Sequence, residues 1–298
     1  MSDSEVRTGE ARLPLQAPIV LGALLFTWLF WEPMVTLLRD WWNDPEAAHG
    51  LLLGPLALYL AYRAGLSERR RPQRVLGVVI LCGAVVLRIV SGLAAELFTM
   101  RMSLIGAALG LVVFAWGLPQ VRRWWLSIAL LVLAVPIPAV ILSTLALPLQ
   151  LRASAFGAAL LKWRDVPVLL SGNVINLPGR SLFVAEACSG LRSLTALLSL
   201  GVLMGGIWLR SPVLRVLLLA VSIPVGMFIN GIRVFLTGFL VFFVNPEAGD
   251  GFMHLTEGWA MFVVAFGILG GVTWLLVKAE WGLRVLKGRT HAAASAEG

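Results

Sequence analysis

Three short blocks hold the residues best equipped for covalent chemistry. EACSGLRS carries Glu186, Cys188 and Arg192 within seven positions, NGIR carries Asn230 and Arg233, and HLTEGW opens with His254. A thiol, a guanidinium and an imidazole suffice for acyl transfer: thiolate attacks a carbonyl, imidazole moves the proton, and guanidinium holds the oxyanion. If a helix begins near Ser189, Cys188 sits at its N-cap, where free N–H groups and the positive dipole end favour thiolate. Arg192 lies four residues on and faces the same side. The dipole opposes a cation in a first turn, so Arg192 needs a partner, and Glu186 is nearest. That pair reads equally well as a bracing ion pair or as part of the chemistry. Asn230 and Gly231 would allow a helix break and a close backbone approach just before Arg233. His254 at a helix start suits proton shuttling better than a static ion pair.

Taken singly, each residue has a plainer reading. An edge cysteine is usually a small apolar filler, as Cys82 is expected to be, and arginines near span ends, such as Arg88 or Arg101, snorkel to the interface. A zinc site from Cys188, His254 and His49 competes with the acyl-transfer reading, but it lacks paired ligand spacing. Neither metal nor cofactor is expected. What favours a site is that the elements bring Cys188, Arg233, His254 and His49 to one level.

Those elements belong in a bilayer. Of 298 residues 59% are hydrophobic and 13% charged, and the mean hydropathy is +0.88, more apolar surface than one soluble core can hide. The net charge of +8 falls in short runs between apolar segments and forms no basic groove with interleaved aromatics, so nucleic acid is not expected as a partner. The two cysteines, Cys82 and Cys188, read as free thiols. The first apolar run reads as a permanent span, with no cleavage site after it.

Eight segments approach the length of about 20 residues that a crossing needs: 17–38, 50–66, 75–92, 102–118, 125–145, 189–209, 213–244 and 254–277. The fifth is punctuated by VPIP at 135–138. The seventh exceeds one straight crossing, and a kink or a break is expected in either of these two. Arginines and lysines cluster before the first span and after the second, fourth, sixth and eighth, which predicts a cytoplasmic face there. The opposite loops, 40–49 and 245–252, are acidic, with Trp41 and Trp42 suited to the interface. The expected fold class is an all-α polytopic bundle of about eight transmembrane helices. Residues 1–16 form a cytoplasmic tail, 17–277 a single membrane domain, and 278–298 a basic cytoplasmic tail.

The largest outer piece, 146–188, starts with apolar residues at helical spacing among Arg152, Lys162 and Arg164, which predicts an amphipathic helix in the outer interface. SGN and LPG then punctuate a hairpin or a pair of extended strands leading to Cys188.

EACSGLRS at 186–193, NGIR at 230–233 and HLTEGW at 254–259 resemble the signature blocks of the exosortase/archaeosortase family of polytopic cysteine transpeptidases. VPIP at 135–138, LPLQLRAS at 147–154, GNVINLPG at 172–179 and the His-Gly pair at 49–50 resemble its weaker blocks. The resemblance covers roughly residues 20 to 280. It implies a bacterial cytoplasmic (inner) membrane protein with its active site on the periplasmic or extracellular face. It further implies Cys188 as nucleophile, Arg233 as oxyanion stabiliser and His254 as acid/base, with Glu186, Arg192, Asn230 and His49 in support. The implied partners are membrane-anchored proteins with a C-terminal sorting tag, made of a short motif, a transmembrane helix and a basic cluster. Some members carry a further soluble domain after the last span, so a separate periplasmic partner protein is a second expectation. The competing functions are a transporter or flippase, with Arg88, Arg192 and Arg233 along a polar path, and a non-catalytic factor for polysaccharide assembly.

Overall fold

The computed structural model describes residues 16–184, 190–244 and 251–296. Helices α1 (Gln16–Asn43), α2 (Gly50–Ala64), α3 (Arg74–Leu93) and α4 (Leu97–Trp116) are followed by two short helices, α5 (Leu118–Arg123) and α6 (Trp125–Leu133). Then come α7 (Ala139–Trp163), strands β1 (Leu169–Ser171), β2 (Val174–Leu177) and β3 (Arg180–Phe183), and helices α8 (Gly190–Trp208), α9 (Pro212–Phe243) and α10 (Gly251–Ala296). Within α1, α3, α4, α9 and α10, five stretches are long and apolar enough to cross a membrane; α2 and the 194–208 part of α8 are shorter apolar helices. The protein is thus a helical multi-pass membrane protein.

The apolar run expected at 125–145 is divided. Helix α6 stops at Leu133, and a new helix starts at Ala139 after Pro136 and Pro138. Proline supplies no amide for the ladder and restrains the residue before it from helical geometry. Two prolines so close therefore end one helix, and Pro138 caps the next.

The expected break near Asn230 does not occur. Helix α9 runs unbroken for 32 residues, about 48 Å at 1.5 Å per residue, against roughly 30 Å of hydrocarbon. Its excess length is taken up by a small cap. Val234 and Val241 of α9 pack with Ala158 and Leu161 of α7 and with Ile175 and Leu182 of the sheet. Helix α7 lies lengthwise along α9. Its Gly157 abuts Val234 and its Leu161 abuts Gly238, so the two helices advance together. Buried Ala153, Ser154, Ala158 and Leu161 against exposed Arg152, Lys162 and Arg164 give α7 the predicted two-sided character.

Three strands form where a hairpin or a strand pair was expected, in the antiparallel order β1-β2-β3. Gly172 at φ 62° opens the first turn, as a type II′ turn requires, and Gly179 at φ 82° follows Pro178 in the second, the pattern of a type II turn.

The α8–α9 turn is held from outside itself. Glu280 on α10 accepts from the backbone N–H groups of Arg210 at 3.1 Å and Ser211 at 2.8 Å, and pairs with Arg284.

Candidate functional site

Arg233 and Asn230 lie on the α9 face turned toward α8 and α10, 8% and 9% exposed. Below them is a narrow cleft lined by Leu197 of α8 and by Met261 and Ala265 of α10. The same three helices share an apolar core that includes Leu197, Leu218, Ile229 and Leu269. A guanidinium buried in such surroundings carries a desolvation cost, so its placement narrows what can sit around it. Thr237, one turn beyond Arg233 on the same face, is also buried. Its i+4 spacing from Arg233 is the signal in the sequence that puts it on this face.

Helix registers fix the level of this group. In the antiparallel α8–α9 pair, Gly201 meets Ser222 and Gly226 meets Leu197. Seven residues further along each helix, Arg233 stands level with Gly190, the first described residue of α8. In the parallel α8–α10 pair, Met204 touches Gly270 and takes the Thr273 hydroxyl at 3.6 Å. Fourteen residues back, Gly190 is level with positions 256 to 259, in the second turn of α10. His254 is the fourth described residue of that helix, and Gly190, the first described residue of α8, comes two positions after Cys188. Cys188 and Glu186 themselves lie outside the described residues, as do the side chains of Arg192 and His254.

His49 is placed elsewhere on the same end of the bundle. Its Nδ1 faces the Glu46 carbonyl at 3.0 Å and its Nε2 the Leu133 carbonyl at 3.2 Å. A neutral ring can donate to only one of these. Whichever nitrogen carries the proton, the ring sits between backbone carbonyls before α2 and at the end of α6.

Gly50 beside it lacks a side chain for a steric reason. A Cβ there would fall 2.1 Å from Trp41 Nε1, and that indole N–H donates to the Ala134 carbonyl at 2.7 Å. Trp41, expected at the interface, is buried, whereas Trp42 is exposed.

His49 also lines a cavity of about 290 Å³ shared with Asp40, Glu96, Arg101, Pro136 and Thr195. Arg101 does not snorkel. It is 3% exposed and pairs with Asp40 at 2.7 Å while donating to the Thr36 carbonyl. Arg88 pairs with Glu32 at 2.6 Å. Cys82 is exposed on the outer surface of the bundle instead of filling a core.

Glu96 caps α4, accepting from the Phe98 and Thr99 N–H groups and the Thr99 hydroxyl. The Thr99 hydroxyl, and next its N–H, hold the Glu96 carboxyl below the usual glutamate range, against a desolvation effect of opposite sign.

The fold defines a multi-pass helical membrane protein with a buried arginine level with the start of a neighbouring helix. Residues 41–271 match the family model for transmembrane exosortases, and the chain belongs to that family. No curated protein and no solved structure matches it.

Proposed function

We propose that this chain is a membrane-embedded cysteine transpeptidase that cleaves C-terminally tagged, membrane-anchored proteins at the outer face of the cytoplasmic membrane. The observation that carries this reading is the shared level of Arg233, Gly190 of α8 and positions 256 to 259 of α10, one turn from His254. Cys188 as thiolate attacks the scissile carbonyl, forming a C–S bond, and Arg233 holds the oxyanion. As the C–N bond breaks, His254 passes its proton to the leaving amine and a thioester remains on Cys188. An acceptor nucleophile then gives its proton to His254 and attacks the thioester, which releases the product and restores the thiolate.

Asn230 lines the approach beside Arg233, and Glu186 and Arg192 steady the thiolate's helix. The transporter alternative draws no support from the other arginines. Arg88 and Arg101 are each matched to a carboxylate of α1, as braces between helices would be.

The test is mass spectrometry of the protein co-expressed with a tagged substrate. An acyl group on Cys188 that disappears in Cys188→Ala is expected, and undisturbed processing by Cys188→Ala would overturn the reading.

A further inference from the structure

Strand β3 lies at one edge of the sheet, and the phase of its hydrogen bonds is fixed. Val184 N–H donates to the Asn173 carbonyl at 3.0 Å, and β3 pairs with β2 as Leu182 with Ile175 and Arg180 with Leu177. Hydrogen-bonded pairs alternate in an antiparallel ladder, so Ser181 and Phe183 turn their N–H and C=O groups away from β2. Both residues are exposed, and among the described residues no strand covers that edge.

The other edge is managed differently. Strand β1 packs against α7 and is approached through Pro167, a residue that discourages pairing. Strand β3 carries neither device. Its end, Phe183, lies five residues from Cys188, a reach of at most about 18 Å.

We propose that the free edge of β3 is the docking strand for the substrate: an extended segment beside the scissile bond adds to the sheet as a fourth strand. The proposal rests on the transpeptidase reading of Cys188. An extended peptide exposes its carbonyls to a nucleophile, and strand addition supplies affinity through backbone bonds while alternate side chains supply selectivity. Those side chains would lie beside the Ser181 hydroxyl, fixed by its 2.6 Å bond to Asn176, and beside the Phe183 ring. The selected segment therefore has a polar-compatible position and an apolar one two residues apart.

Disulfide trapping tests this in the full-length enzyme with Cys82→Ala and Cys188→Ala. Ser181→Cys or Phe183→Cys is combined with single cysteines walked along the outer stretch of a co-expressed tagged protein, then oxidised in membranes. Strand addition predicts adducts at alternate substrate positions, displaced by two residues when the enzyme cysteine moves from 181 to 183. Evenly spread adducts, none at all, or enzyme–enzyme dimers would each overturn it. In the otherwise native chain, Ser181→Pro and Phe183→Pro remove an outward N–H and keep the β2 ladder, so each should slow processing about tenfold, the scale of one hydrogen bond. Unchanged processing would likewise overturn the proposal. Period-two adducts without an acyl group on Cys188 would keep the docking strand and remove the transpeptidase, whereas acylation without periodicity would do the reverse.

Discussion

Arg233 and Arg192 separate by what a lysine can replace. Arg233→Lys keeps the charge in a buried setting but loses the planar donor fork that can hold an oxyanion and orient a peptide, so processing should nearly cease. Arg192→Lys keeps a cation near the start of α8, and appreciable processing should remain. Immunoblots of a tagged substrate, with insertion of each variant verified, give the comparison. The opposite ranking would place the catalytic arginine on α8.

The paired arginines differ in another way. Removing Arg101 strands Asp40, which is only 34% exposed, whereas removing Arg88 frees Glu32, 60% exposed and open to solvent or headgroups. Arg101→Leu should therefore cost about 2 kcal/mol or more and Arg88→Leu less than about 1 kcal/mol, measured by thermal unfolding in detergent. Sequence alone could not pair Asp40 with Arg101, because 61 positions separate them and no local pattern links the two. The burial of Arg233 was legible, because a charge one crossing's length into an apolar run stands out.

At the scale of elements, the cap of α4 carries a pH signature. The folded-state pKa of Glu96 is depressed, so its stabilisation is present above the unfolded value of about 4.3 and fades as pH falls through the lower folded value. Glu96→Gln should flatten the acid side of the stability profile, and Glu96→Ala should cost about 1 kcal/mol at neutral pH.

The α7–α9 contact makes a second test. A Cβ on Gly231 would fall 2.3 Å from Phe156 Cδ1, so Gly231→Ala should destabilise by about 1–3 kcal/mol. Adding Phe156→Ala should recover part of that loss, read as a smaller combined drop in melting temperature than the two single effects together. The turns of the sheet were legible from Gly172 and the Pro178–Gly179 pair, since few residues tolerate positive φ. The third strand was harder to see, because strands of three or four residues carry too little alternation to count. The unbroken course of α9 was hidden for a different reason: Gly231 has no side chain to make room for Phe156 of another helix, and sequence cannot distinguish that need from a hinge.

Over the whole molecule, the loops sort to two ends. The turns at 44–49, 94–96 and 134–138 gather at one end through Arg101–Asp40, His49 and Trp41. Gln120, Arg123 and Trp124 meet Gly65 and its neighbours at the other. Reporter fusions after Arg71, Arg123 and Arg210 should score cytoplasmic, and fusions near Asp44, Asn173 and Glu247 external. Opposite scores for 173 and 247 would part Cys188 from His254 and end the proposed mechanism.

The Glu280 tie to the α8–α9 turn also bears on how the protein is made. Residues 188 and 233 leave the ribosome well before residue 280, so the hairpin bearing them is made before the carboxylate that its turn amides bond. The carboxylate that relieves them arrives on the same helix that brings His254. Under the proposed mechanism, completion of the surroundings of Cys188 and fastening of that turn would therefore be one late event, and a chain halted before α10 would lack both.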